Sequence, residues 1–283
     1  MPSPYEGLPS NRFWKSAVSQ DPLRTIAGLY TKRFEICRTD RIATAGSCFA
    51  QHIGRYLRKK SFNVIDAEPP EPGLSKEIAA RYGYGLFSAR YGNVYTAGQL
   101  YQLAREAFGE FTPADAVWRR GDRFFDAMRP SVEPDGLETA DLVRRHRERH
   151  LKRVREVFSQ ARVFVFTFGL TEAWVERRSG TVYPTAPGTI AGDFDPELYE
   201  FRNLSFSEVL GDFAAFREFV KARNPDVKFV LTVSPVPLTA TASGEHVLVA
   251  TTYSKSVLRA VAGELYATFD DVDYFPSYEI VAA

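Results

Sequence analysis

The sequence predicts an α/β fold, in which helices cover both faces of a mainly parallel sheet. Short apolar segments rich in β-branched and aromatic residues alternate along the chain with longer helical patterns. The clearest apolar segments, at 161–168 and 227–233, lack the polar alternation of a half-exposed strand, which indicates strands buried on both faces. Ligands bind such sheets outside the carboxyl ends of the strands, so the turns that follow the strands are the first candidates for a functional site.

The order of the elements supports five parallel strands joined by helices. The strands are expected at 41–45, 61–67, 161–168, 227–233 and 272–275, and the second is the weakest of them. The helices are expected at 49–60, 96–108, 141–158, 205–223 and 253–269. Ser205, with Glu208 three residues later, is a capping signal for the fourth helix.

Three segments fall outside this alternation. Residues 1–40 carry scattered prolines and no periodic pattern, so we expect an irregular extension packed on a single domain that spans 41–283. The segments 66–95 and 175–204 are long and contain several Pro and Gly residues. Long loops in compact domains are often functional, and we expect both segments to wall a cleft over the sheet.

The composition is that of an ordinary globular protein. Lys and Arg total 36 against 35 Asp and Glu, whereas nucleic-acid-binding proteins usually carry a clear basic excess. The seven Lys and Arg residues of 141–158 fit a solvated helix face; the alternative is a surface that contacts an anionic polymer. Two cysteines make neither a disulfide framework nor a usual zinc site. No secretory signal or membrane span is visible. We therefore expect a cytoplasmic protein with no cofactor, metal, nucleic-acid or membrane partner; its oligomeric state is not predicted.

The turn after the first strand carries the most reactive side chains. The run Gly46-Ser47-Cys48-Phe49-Ala50 leads from the strand directly into a helix. This arrangement exposes a side chain at the sheet edge and points helix amides toward it, which stabilises developing negative charge. On the residues alone, Ser47 also fits a plain helix N-cap. Cys48 fits either a second nucleophile or a small core residue.

The same pentapeptide resembles the signature of the GSCFA family, which is placed in the SGNH/GDSL hydrolase superfamily. Further similar blocks lie at 168–174, 232–238, 253–255 and 274–279, so the resemblance covers roughly residues 40–280. It implies a flavodoxin-like three-layer α/β/α sandwich with a five-stranded parallel sheet. It also implies a serine-dependent esterase or O-acyltransferase with Ser47 as the nucleophile, its N–H as an oxyanion donor, and a small-molecule or carbohydrate ester as the substrate.

The resemblance implies further residues around this serine. Gly92, beside Asn93, is the best candidate for the glycine of the second superfamily block. The third block, Gly-x-Asn-Asp, corresponds here to Gly169-Leu170-Thr171-Glu172, so a shorter threonine hydroxyl replaces the amide of the oxyanion hole. We expect a cleft at the strand ends lined by Ser47, Gly92, Asn93, Gly169, Thr171 and Ser234.

The general base is missing from its expected position. The Asp-x-x-His block of the superfamily does not follow the fifth strand. Either a C-terminal helix that carries it is missing, or this branch dispenses with it. His246 follows the fourth strand at the active-site edge and is the first candidate for the base; the alternative is an ordinary loop histidine. We expect slow ester turnover. The alternative function is an inactive SGNH-like binding module that lacks the acid/base histidine.

Overall fold

The computed structural model describes residues 3–19 and 28–282. Its strands are β1 (Ile42–Gly46), β2 (Val117–Arg120), β3 (Arg123–Asp126), β4 (Val163–Phe168), β5 (Glu172–Glu176), β6 (Val182–Tyr183), β7 (Tyr199–Asn203), β8 (Lys228–Val233) and β9 (Val272–Tyr274). Its α-helices are α1 (Ala50–Lys59), α2 (Lys76–Arg81), α3 (Ala97–Ala107), α4 (Ala140–Gln160), α5 (Phe206–Lys221), α6 (Val247–Thr268) and α7 (Ser277–Ala282). The five predicted helices correspond to α1, α3, α4, α5 and α6.

A parallel sheet with the order β1-β4-β8-β9 forms the centre of the fold. The five-stranded prediction is wrong by one strand, because the segment expected at 61–67 makes a single parallel bridge between Val64 and Ile42. Ser61 enters this segment with a positive φ of 61°, and Ala67 already donates to the carbonyl oxygen of Ser88. The chain therefore leaves the edge of β1 after one exchange of hydrogen bonds. The order is consistent with a three-layer sandwich.

One face of the sheet packs against the helices α3 to α6. Phe164, Phe166 and Phe168 of β4 point to this side and join a large buried cluster with Phe213 and Phe216 of α5. Successive residues of a strand alternate between faces, so these phenylalanines account for the apolar character of β4 on this side. Burying a side chain of this size contributes roughly 1.5–3 kcal/mol, and the cluster therefore fixes the sheet firmly against the helices.

The other face is covered by a smaller layer. Ile53 and Leu57 of α1 pack there, together with Phe34 and Ile36 from the chain that precedes β1. The Arg33 side chain in the same segment donates to main-chain carbonyl oxygens at the end of α6 and at β9. Of the N-terminal extension predicted at 1–40, residues 1–2 and 20–27 lie outside the described residues.

A short helix follows β9, and it carries neither an aspartate nor a histidine. This helix is α7, and the Ser277 hydroxyl at its start donates to the carbonyl oxygen of Val233 at 2.9 Å. The segment 175–204 also differs from a plain loop, since β6, β5 and β7 pair there as a small antiparallel sheet. This sheet stands beside the carboxyl end of β4 and positions one wall of the candidate site.

Candidate functional site

The turn after β1 is built around a glycine that no other residue can replace without distortion. Gly46 has a φ of 138°, and a Cβ atom on it would lie 2.4 Å from the carbonyl oxygen of Thr167 on the paired strand. Because β1 and β4 approach so closely here, the next residue, Ser47, is placed directly at the carboxyl edge of the sheet. The residue before α1 is Phe49, without a side-chain cap, so Ser47 is not the N-cap of that helix.

Ser47 is buried, yet its hydroxyl group is unpaired. Only 3% of the residue is exposed, and its Oγ atom has no hydrogen-bond partner within the described residues. Its N–H donates to the carbonyl oxygen of Thr167 at 3.2 Å. Buried polar groups are nearly always hydrogen-bonded, so an unpaired hydroxyl at this position points to a ligand or a reaction.

Ser47 lies in a cleft of about 340 Å³ at the carboxyl edge of the sheet. Gly169 and Ser234, which follow β4 and β8, also line it. Trp174 of β5 lines the cleft, as does Leu238 from the loop after β8. The cleft thus joins three strand ends to the small antiparallel sheet, the arrangement expected of a ligand site in a parallel α/β sheet.

Gly169 lies against two other residues of the cleft, Ser47 and Tyr95. A Cβ atom on this glycine would lie 3.1 Å from Ser47 Cβ and 3.0 Å from Tyr95 Cδ1. Its N–H donates to the carbonyl oxygen of Tyr95 at 2.9 Å. The main chain of Gly169 therefore contacts the nucleophile candidate directly.

A lysine that the sequence analysis did not single out completes the floor of the cleft. Lys255 lies on α6, is 2% exposed, and donates from Nζ to the carbonyl oxygen of Gly169 at 2.5 Å. Burial lowers the pKa of Lys255 to about 8. A signal for it exists in the sequence, because Lys255 falls in register with the buried residues Leu258, Ala262 and Leu265 of the same helix.

Thr171 does not take the predicted place in an oxyanion hole. It is fully buried behind the cleft, where its hydroxyl donates to Asn203 Oδ1 at 2.6 Å and its N–H donates to Ser254 Oγ at 3.0 Å. Gly92 does not line the cleft either; it lies against Val132.

Asn93 acts from behind the cleft wall, since its Nδ2 donates to the Tyr95 hydroxyl at 3.0 Å and Tyr95 itself lines the cleft. Burial raises the pKa of Tyr95, which keeps that phenol protonated.

His246 does not line the cleft. It is exposed as the N-cap of α6, and its Nδ1 accepts the N–H of Leu248 at 3.2 Å. This capping role satisfies one of the free amides that every helix start presents. His150 is buried elsewhere beside Glu68, at 2.7 Å from its carboxylate.

The predicted oxyanion donor, the Ser47 N–H, is already engaged by the Thr167 carbonyl oxygen, so the amides at the start of α1 are the next candidates. Cys48 and Phe49 lead into the helix, and among residues 3–19 and 28–282 the structure has no acceptor for either N–H. The Cys48 side chain is exposed and lines the cleft next to Ser47. Helix starts favour negative charge through their free amides and the helix dipole.

The described part of the chain has no group of three or more His, Cys, Asp or Glu side chains arranged to hold a metal ion. Among those same residues, no helix combines the length and the apolar character needed to cross a bilayer.

The fold and the cleft define an α/β protein with a buried serine at the carboxyl edge of a parallel sheet. The GSCFA family matches residues 41–283, and the chain belongs to this family. No curated protein and no solved structure is significantly similar to it.

Proposed function

We propose that the protein is a serine-dependent acyl-transfer enzyme of SGNH type, either an ester hydrolase or an O-acyltransferase. Ser47 is its nucleophile, and its substrate is an ester of a small molecule or a carbohydrate. The observation that carries this proposal is the Ser47 hydroxyl, which is buried in a cleft with no hydrogen-bond partner in the described residues. Leaving such a group unpaired costs about 1–3 kcal/mol, and a substrate bound in the cleft would supply the missing partner.

The surroundings of Ser47 support acyl transfer. The tetrahedral intermediate of this reaction carries a negatively charged oxygen, which the amides of Cys48 and Phe49 stabilise at the start of α1. Trp174 and Leu238 give the cleft apolar surface, which suits an acyl group or the face of a sugar ring. Both cysteines are free, which agrees with the cytoplasmic location that we propose for this activity.

A fluorophosphonate probe tests the nucleophile, because this electrophile reacts preferentially with an activated serine hydroxyl. We expect one adduct on the wild-type protein, located at Ser47 by peptide mass spectrometry, and none on Ser47→Ala. Ser88→Ala is the matched control: Ser88 is a buried serine that accepts the Thr44 N–H of β1 outside the cleft, so this variant should label normally. An unlabelled wild-type protein, or an adduct on Cys48, contradicts the proposal.

A non-catalytic binding module of the same fold is the second candidate. One observation favours it: of the cleft-lining residues that the structure describes, none is a histidine. Calorimetric binding of an acylated sugar without any turnover, together with an unlabelled Ser47, is the result expected for a binding module.

A further inference from the structure

Lys255 is an unusual residue to find inside a protein without a counter-ion. It is 2% exposed, and within the described residues its ammonium group forms no salt bridge. The one hydrogen bond found for Nζ in this part of the chain goes to the carbonyl oxygen of Gly169. An ammonium group has three N–H donors, and buried lysines are rare unless they are paired. A position in the apolar stripe of α6 is far better suited to methionine or leucine if packing is its purpose.

Gly169 links this amine to the nucleophile. The Gly169 carbonyl oxygen accepts a hydrogen bond from Lys255 Nζ. The Gly169 Cα atom lies so close to Ser47 that a Cβ atom on Gly169 would be 3.1 Å from Ser47 Cβ. Both side chains line the same cleft. Ser47 Oγ has no hydrogen-bond partner in the part of the chain that the structure describes, and Lys255 Nζ needs one N–H for the carbonyl oxygen. In the neutral amine, the nitrogen lone pair then remains available to accept a proton.

We propose that Lys255 is the general base that activates Ser47, a role that rests on the proposed acyl transfer. In the first step the Nζ lone pair takes the Ser47 hydroxyl proton while Oγ bonds to the ester carbonyl carbon. The ester C–O bond then breaks, and the leaving alkoxide takes the proton from Nζ. Water or an acceptor hydroxyl next gives its proton to Nζ and attacks the acyl carbon. The bond to Oγ breaks, and Ser47 regains the proton.

Two of the other titratable groups around the cleft, Tyr95 and Glu172, are less suited to this role. Cys48, Tyr95 and Glu172 share the lining with Lys255. Tyr95 keeps its proton because burial raises its pKa, and the Glu172 carboxylate accepts a hydrogen bond from the Thr241 hydroxyl at 2.5 Å. Lys255, whose pKa burial lowers to about 8, has a neutral fraction near physiological pH that an exposed lysine lacks.

The test measures the rate constant of Ser47 labelling by the fluorophosphonate from pH 6 to 10. We expect the wild-type rate to rise with pH, with a midpoint near 8. Lys255→Met and Lys255→Arg should lose about 10²- to 10⁴-fold in rate together with this rise, because neither side chain supplies a neutral amine. Lys228→Met is the matched control, since Lys228 begins β8 at the opposite end of the strand from the cleft. Its profile should equal that of the wild type.

Two outcomes separate the base from the nucleophile. If wild-type Ser47 is never labelled, the acyl-transfer function itself fails. If Ser47 is labelled but folded Lys255→Met keeps the wild-type rate and pH profile, the function stands and the assignment of Lys255 is wrong.

A third measurement needs no variant. Competitive acetylation of the wild-type protein with acetic anhydride reports the titration of the Lys255 amine directly. Its midpoint must coincide with that of Ser47 labelling, and a clear mismatch overturns the assignment even if both Lys255 variants fail to fold.

Discussion

Replacing Gly46 with alanine tests whether the close approach of β1 and β4 places Ser47. The Cβ atom of Gly46→Ala would lie 2.4 Å from the carbonyl oxygen and 2.8 Å from the nitrogen of Thr167. Both atoms belong to the main chain of a buried central strand, so no side-chain rotation relieves the contact. The φ of 138° is a second obstacle, because alanine rarely adopts it.

The two effects have separable magnitudes. The unfavourable φ costs about 1–3 kcal/mol. An ordinary contact needs about 3.4 Å, so Thr167 must move by about 1 Å away from β1. This shift weakens two or three hydrogen bonds at the end of the β1–β4 ladder, at about 1 kcal/mol each. We expect Gly46→Ala to lower the free energy of unfolding by about 4 kcal/mol, which is large for a single substitution.

Gly121→Ala is a control for a positive φ without a close contact. Gly121 has a φ of 61° in the turn between β2 and β3, and a Cβ atom there meets nothing within 4 Å. Urea unfolding followed by circular dichroism should therefore show a loss of only about 1–2 kcal/mol for this variant. If the free energies of unfolding of Gly46→Ala and Gly121→Ala agree within about 1 kcal/mol, and Ser47 is still labelled, the close approach at Gly46 is not what positions the nucleophile.

Two further predictions concern the buried charges beside the central core. Burial lowers the pKa of His150 to about 4, so the unfolded chain takes up a proton first as the pH falls below 6.5. The free energy of unfolding should therefore fall by about 3 kcal/mol as the pH is lowered from 6.5 to 4. In urea unfolding, His150→Asn should not show this fall. Arg147 is buried between Asp126 and Glu106 and forms ion pairs with both. Arg147→Met leaves the Glu106 carboxylate without an ion pair among the described residues and leaves Asp126 with Arg129 alone. We expect a loss of about 3–5 kcal/mol in urea unfolding, and a loss below 1 kcal/mol contradicts this reasoning.

The central sheet was predictable because its strands are buried on both faces. A segment such as Val163–Phe168 is apolar throughout, and this composition identifies a strand without any knowledge of its neighbours. The second predicted strand failed because Ser61 and Asn63 interrupt its apolar residues and the chain turns away after Val64. The strands β5 to β7 were missed since they are short and lie among prolines and glycines, where tertiary pairing decides.

The candidate site was predictable where it depends on strand ends alone. Ser47, Gly169 and Ser234 each follow a central strand, and all three line the cleft. The remaining assignments depend on partners distant in sequence. The Thr171 hydroxyl donates its hydrogen bond to Asn203, which lies 32 residues further along the chain, and only the folded structure reveals this contact. His246 lies near the correct edge of the sheet, but local capping of α6 determines its orientation.

The turn Gly169–Thr171 shows why the lysine is best explained by chemistry. Two adjacent residues of α6 fasten this turn, since Ser254 Oγ accepts the Thr171 N–H and Lys255 Nζ donates to the Gly169 carbonyl oxygen. The Ser254 hydroxyl makes its contact as a small neutral group, at little cost of burial. A single carbonyl acceptor likewise requires only a neutral donor, yet the chain has an amine there, and its charged form is penalised by burial. An amine differs from a hydroxyl at this position mainly in its basicity. Burial of Lys255 destabilises the fold, but it also favours the neutral amine, which can accept a proton in the cleft that holds Ser47. The same burial therefore prepares the proposed reaction.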